Sequence, residues 1–247
     1  MLSQYRFVIT CEHASPDIPD RWKSLLGPFC ETCEPHQLWD PGAVEIGAHL
    51  ANMLEAPFFK GEQTRLLVDL NRSPHHPTLF SSPVQELPDS QRTHILTTHY
   101  YPFRHEMIRL LDTLVTEDQP IIHLSVHSFT PHLNGESRDA DFGLLYDPDS
   151  LWEREAAELE LYHLQIARPE LVCRANYPYL GTDDGHVTAL RLAFGRHRYL
   201  GLELEFNQKL PLVEEAEGYA RWICQSLRRT LSNKRFAPLL ASSPTVS

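Results

Sequence analysis

The sequence predicts an α/β fold, a mostly parallel sheet covered on both faces by helices. Two observations carry that prediction. Short apolar runs of strand length alternate with amphipathic stretches of helical length. The most distinctive polar residues, His13, Asp69 to Arg72 and His127, each follow an apolar run. At 247 residues the chain is long enough for one such domain with a real core.

Arg6 to Thr10 reads as a short buried strand that runs directly into Cys11-Glu12-His13-Ala14-Ser15-Pro16. Asp40-Pro41-Gly42 reads as a helix start, with aspartate at the N-cap and proline at the first helical position. Ile46, Leu50, Met53 and Leu54 follow at helical spacing. Residues 58–70 read as extended, and residues 73–94, rich in Pro, Ser and His, as a long loop of the kind that often carries function. A helix is expected over about 99–117, with Phe103, Met107, Leu110, Leu111 and Leu114 on one face. Ile121 to Val126 is the next strand, ending at His127-Ser128-Phe129. Phe142 to Tyr146 is a further strand, 151–167 a helix, Tyr199 to Phe206 a strand and 212–232 an amphipathic helix. One domain is expected over 1–235, with a disordered tail over 236–247.

The formal charge of −11 argues against nucleic acid or an anionic membrane as the main partner, because phosphate binding needs a basic surface. No apolar run approaches the length of a membrane span, and the N-terminus lacks the layout of a signal peptide. Five cysteines, an odd number at irregular spacing, fit reduced thiols and a cytoplasmic location better than a disulfide framework. Cys30 and Cys33 form a lone C-x-x-C with no second pair to complete a zinc site, and loop residues are the default reading.

In parallel sheets the ligand site lies beyond the carboxyl ends of the strands, where the distinctive polar residues fall. A hydrolytic zinc ion typically takes three protein ligands from His, Asp and Glu, and a nearby carboxylate moves the proton. His13 and His127, each flanked by small or hydroxyl residues, are the best ligand candidates among the 14 histidines. Asp40 is the preferred third ligand, with Glu12 and Asp17 in reserve, although an N-cap aspartate needs no metal to explain it. His123 lies on the strand itself and reads as a core or supporting group. Glu203 and Glu205 alternate with Leu202, Leu204 and Phe206, so both carboxylates share one face. Glu203 is favoured as general base, with Glu205 as its alternative.

These segments together resemble a known family. Val8 to Ser15, Trp39 to Ala43, Thr64 to Arg72 and Ser125 to Pro131 are similar to the N-formylglutamate amidohydrolases. Asn176 to Tyr179, Asp184-Gly185 and Glu203-Leu204 extend the likeness over roughly residues 5 to 210. That family in turn resembles zinc carboxypeptidases and aspartoacylase. The resemblance implies a three-layer α/β/α sandwich of eight or so strands, like that of zinc exopeptidases. It further implies one zinc ion, His13 and His127 as ligands, Asn71 and Arg72 as substrate-binding groups, and Glu203 as base. Arg65 is expected as a second anion contact, and Arg138, Tyr179 and Asp184 as lining residues. The carboxypeptidase pattern has its acidic ligand three residues after the first histidine; Pro16 stands there, and Asp40 is taken as the replacement.

The implied activity is hydrolysis of an N-formyl or N-acyl amino acid, a small molecule, by zinc-activated water. Zn, Mn, Co and Fe can share such a site. Two competitors stand beside it, a metallocarboxypeptidase-like peptide hydrolase and a non-catalytic binding relative. An alternative reading of Arg72 is a structural pair with Asp69.

Overall fold

The computed structural model describes residues 5–115, 120–195 and 198–233. In chain order its elements are β1 (Arg6–Cys11), α1 (Lys23–Cys30), α2 (Pro35–Leu38), α3 (Ala43–Leu54), β2 (Phe58–Lys60), α4 (Ser82–Gln85) and α5 (Asp89–Ile95). A π-helical turn over Leu96–Tyr100 leads into α6 (Tyr101–Leu114). There follow β3 (Ile121–Phe129), β4 (His132–Leu133), β5 (Glu136–Ser137), β6 (Phe142–Leu145), α7 (Leu151–Ala167), β7 (Cys173–Ala175), α8 (His186–Phe194), β8 (Tyr199–Asn207) and α9 (Ala216–Leu231).

Six strands form one sheet in the order β2-β1-β3-β8-β6-β7. All neighbours pair in parallel except β8 with β6, which run antiparallel. The predicted α/β class and mostly parallel sheet therefore hold, with six strands among the described residues rather than eight. The two-residue strands β4 and β5 form a separate hairpin.

Strand alternation sorts the core into layers. Phe7 and Ile9 of β1, Ile122, Leu124 and Val126 of β3, and Leu200, Leu202, Leu204 and Phe206 of β8 share one cluster with α3, α7 and α9. Val8, Ile121 and Tyr199 face the other way, onto Met107 and Leu111 of α6 and Val187 and Leu190 of α8. On that second face, residues closer to the carboxyl ends of the strands turn polar: Thr10 and Glu12, Ser125 and His127, Glu203 and Glu205, all buried. The sheet is thus a sandwich whose α6/α8 side opens from a small apolar core into a buried polar region.

Four local expectations are corrected. Residues 58–70 are not one extended segment, because β2 ends at Lys60 and the chain turns through 61–72. Leu67, Val68 and Leu70 are nonetheless buried, in a satellite core with Trp22, Val84 and Ile95. That core also explains why 73–94 is not a structureless loop: Val84 of α4 and Ile95 of α5 anchor two short helices there. Asp40 is not an N-cap. The N-cap of α3 is Gly42, in a left-handed conformation at φ 82° that suits glycine, and a Cβ there would lie 2.3 Å from Leu212 Cβ. His127 lies within β3 rather than past its end. The single-domain boundary at 235 and the tail over 236–247 lie outside the described residues. No described helix is long and apolar enough to cross a membrane.

Candidate active site

Parallel pairing of β3 with β8 sets Ser125 beside Glu203 and His127 beside Glu205. Four polar side chains therefore project from one face of two central strands. β1 delivers His13 two residues past its end. The segment carrying Asp40 is tied across both strands, since Asp40 N donates to His13 O (2.9 Å) and Ser128 Oγ donates to Pro41 O (2.8 Å). With the N-cap position taken by Gly42, the Asp40 carboxylate turns to the histidines instead of the helix.

Asp40 Oδ2 lies 3.3 Å from His13 Nδ1 and 2.8 Å from His127 Nδ1, and the two rings are 5.3 Å apart. All three residues are buried. The other nitrogen of each ring is held from behind. His13 Nε2 donates to Asp69 Oδ1 at 2.7 Å. His127 Nε2 lies 2.9 Å from Ser125 Oγ, which donates to Glu12 Oε2 at 2.8 Å. Both rings thus turn Nδ1 to the same Asp40 oxygen while Nε2 is engaged elsewhere, an arrangement that also suits a cation between the three groups.

Two imidazole nitrogens and a carboxylate oxygen, mutually within 4.8 Å, form the donor set of a hydrolytic metal site. Histidines anchored through the distal nitrogen to a carboxylate or hydroxyl are the usual partners of such a set. The residues present therefore fit a divalent metal ion.

Electrostatics follow from burial opposed by close charges. Burial works against the charged forms of Asp40 and Asp69, yet both carboxyls lie below the usual range, Asp40 through His13 and His127, Asp69 through Arg65 and His13. Burial alone would lower His127; the hydrogen bond and charge of Asp40 outweigh it and raise the imidazole to about 10. Glu203 and Glu205 are raised by burial, Glu205 to about 8. Glu205 Oε2 has no hydrogen-bond partner among the described residues.

His13, Asp40, His127, Glu203 and Glu205 all line one cleft. Arg65, Asn71, Arg72, Arg138, Tyr179 and Asp184 are on its walls as well. Glu12 is buried on the far side of His127, where it also accepts from His186 Nδ1 (3.0 Å), and Asp17 is exposed. Neither reserve ligand joins the cluster. His123 bonds Thr10 Oγ1 at 2.8 Å and sits wholly inside the sheet, a core residue as expected.

The arginines are sorted differently from expectation. Arg65, not Arg72, pairs with Asp69: Nη2 and Nε reach Asp69 Oδ2 at 2.8 and 3.2 Å, and Nη1 reaches Asp40 Oδ1 at 3.4 Å. Arg65 and Asp69 stand four residues apart, and the turn between them brings the two side chains together. Arg72 instead donates from Nη1 to the main-chain oxygen of Asp184 at 2.6 Å. Asn71 Oδ1 accepts from His186 N (2.7 Å), so the side chain caps the start of α8, a helix absent from the sequence reading. Arg138 lies over the rings of Tyr179 (5.2 Å) and Phe129 (5.8 Å) with no carboxylate partner among the described residues.

Sequence reasoning missed the supporting roles of Asp69, Ser125, Glu12 and His186. Asp69 was legible in part, since its acid stands beside Asn71-Arg72; His186 carries no local signal.

Comparison with known proteins adds an independent line. The sequence model of the N-formylglutamate amidohydrolase family matches residues 5–212. Among solved structures, a gene product from Agrobacterium tumefaciens is 26% identical, with a TM-score of 0.79 over 93% of this chain and 91% of that one. An N-formylglutamate amidohydrolase from Ralstonia eutropha is 16% identical, with a TM-score of 0.61 over 94% of each chain, a likeness of fold. No curated protein matches. Because the family match spans most of the chain, including every residue of the cleft cluster, the protein belongs to the N-formylglutamate amidohydrolase family.

Proposed function

We propose that this amidohydrolase is metal-dependent and cleaves the amide bond of a small N-formyl or N-acyl amino acid, with His13, Asp40 and His127 holding one zinc ion. The observation that carries the reading is the convergence of His13 Nδ1 and His127 Nδ1 on one Asp40 oxygen, each ring braced through Nε2. A zinc ion bound there would supply Lewis acidity, lowering the pKa of water and polarising the scissile carbonyl.

The remaining steps fall to side chains. A buried carboxylate on β8 takes the proton from the attacking water and hands it to the leaving nitrogen. Sequence favoured Glu203 for this. Two observations favour Glu205: its register beside His127, and an Oε2 with no partner among the described residues. A carboxyl raised to about 8 also exchanges protons readily near neutral pH. Glu203 lies one pleat deeper, beside Ser125.

Arg72, free of any carboxylate partner among the described residues, receives the substrate carboxylate, with Asn71 beside it. Arg138 and Tyr179 contact the far end of the substrate. Arg65 faces the cleft, but its guanidinium is occupied by Asp69 and Asp40, so it holds these two carboxylates in place and reaches a substrate anion only secondarily. A cytoplasmic location belongs to the same proposal, supported by five free cysteines.

The test is the metal content of purified wild type and of His127→Ala, followed by a screen of N-formyl and N-acyl amino acids. About one zinc per chain in wild type, lost in the variant, is expected. A wild-type protein that takes up no divalent metal and hydrolyses none of these amides would end the reading.

A further inference from the structure

Arg104 of α6 is buried at 7% exposure, and its hydrogen bonds among the described residues go to the Arg72 carbonyl and Tyr100, not to a carboxylate. A buried guanidinium without a counter-ion is costly, so what it touches is informative. Its Nη2 donates to the main-chain oxygen of Arg72 at 2.7 Å. Tyr100 Oη donates to the same oxygen at 2.6 Å and lies 2.9 Å from Arg104 Nη2. The guanidinium also stands 5.1 Å from the centre of the Tyr100 ring. Two donors, one of them charged, thus converge on a single carbonyl.

The backbone that delivers them is unusual. Tyr100 closes the π-helical turn over Leu96–Tyr100, directly before α6. Such turns shift the side chains that follow by one position and occur often at functional sites. From the opposite side, Asp184 accepts Arg72 Nη1 on its main-chain oxygen and Ser73 N on Oδ2 (2.8 Å). Asn71 N is held by Asp69 Oδ1 at 2.9 Å. Three successive residues, 71 to 73, are fixed in a turn that carries no regular ladder.

We infer that Tyr100 and Arg104 are positioning residues for substrate recognition: by clamping the Arg72 carbonyl they aim the Arg72 guanidinium into the cleft. The inference rests on the proposed role of Arg72 as receiver of the substrate carboxylate. A guanidinium must be preorganised to exploit its fork geometry, because a loosely held one gives up side-chain entropy on binding.

The experiment is a double-mutant cycle on steady-state hydrolysis of N-formyl-L-glutamate, using Tyr100→Phe, Arg104→Gln and Arg72→Ala singly and in combination. Metal content and melting temperature are measured on each variant. Expected for Tyr100→Phe and Arg104→Gln is a KM raised about tenfold, kcat within about twofold of wild type, and metal content unchanged. In the Arg72→Ala background neither change raises KM further, because the group they position is gone. Wild-type KM in the metal-loaded variants, or effects that multiply with Arg72→Ala as a purely structural role would give, overturns the inference. If Arg72→Ala itself leaves KM unchanged, the assigned role of Arg72 fails and the clamp has nothing to position. Should Arg104→Gln fold poorly, Tyr100→Phe, which removes one hydroxyl, decides alone.

Discussion

Asp69 binds His13 and Arg65 through opposite oxygens: Oδ1 receives the imidazole at 2.7 Å and Oδ2 the guanidinium at 2.8 Å. The carboxylate thereby fixes which nitrogen of His13 faces Asp40. Asp69→Asn keeps the size of the side chain but removes the charge that orients the ring. Metal affinity should fall by about 10–100-fold, the usual effect of losing such a partner. Competition with a chromophoric chelator measures it, and an affinity equal to wild type would show that Asp69 has no part in holding the ligand.

Glu203 and Glu205 are separated by one pleat and both face the cleft, so their roles divide by test rather than by position alone. Glu205→Gln should lower kcat by about 10²–10⁴-fold, the range for losing a general base. Metal should remain bound, because the variant leaves His13, Asp40 and His127 in place. Glu203→Gln should cost less. The reverse ranking, measured on the same substrate, would return the base to Glu203.

How much of this was legible in the sequence depends on how local each signal is. Alternation along β8 placed Glu203 and Glu205 on one face and Leu202, Leu204 and Phe206 on the other, because strand period is a property of neighbouring residues. Helix α7 was readable residue for residue, since an amphipathic run with Ser150 before it carries its own start signal. Asp40 was assigned as a ligand on placement, while its supposed capping role was wrong: the chain takes a left-handed turn at Gly42, which becomes the cap, and Leu212, far off in sequence, leaves no room for a Cβ there. The Arg65–Asp69 pair is local, four residues apart, but needs a turn that the sequence reads as extended, whereas the brace of Ser125 and Glu12 behind His127 joins residues from different strands. Only the sheet register brings the brace together. The helical character of 82–95 was likewise hidden by its Pro and Ser content, and it is the satellite core that overrides composition there.

Gly143 of β6 lies opposite Glu205 in the antiparallel register, on the sheet face that forms the cleft. A Cβ at this position would stand 1.7 Å from the main-chain oxygen of Tyr177 and 3.3 Å from Glu205 Cβ. The first contact is with backbone, which cannot swing aside as a side chain would. Gly143→Ala should therefore destabilise by about 1–3 kcal/mol, as overpacking does. In a chain of this size that lowers the melting temperature by roughly 2–12 °C. Displacement of the 177–179 segment should also raise KM, since Tyr179 is on the cleft wall. An alanine variant with wild-type melting temperature would mean that the Tyr177 backbone yields at no cost.

Glu160 of α7 is buried far from the cleft, between α7 and α9, where Thr230 Oγ1 donates to its Oε2 at 2.7 Å. Burial raises its carboxyl from the ordinary 4.5 to about 8, more than the hydroxyl contacts from α9 lower it. The sign of the stability effect follows from proton counting. Between pH 4.5 and 8 the folded chain keeps a proton that the unfolded chain has released, so folding stability from this group falls as pH rises. Below about 4.5 both states hold the proton and the contribution is complete; above about 8 neither does and the loss levels off. At about 1.4 kcal/mol per unit, the loss across the window is at most about 5 kcal/mol. Glu160→Gln imitates the protonated side chain at every pH, so the variant should gain on wild type steadily from pH 5 to 8 and keep its lead above that. Urea unfolding at several pH values reads the difference directly. Parallel curves for the two proteins would show that Glu160 titrates alike in both states, with burial and its Thr230 bond leaving no net shift.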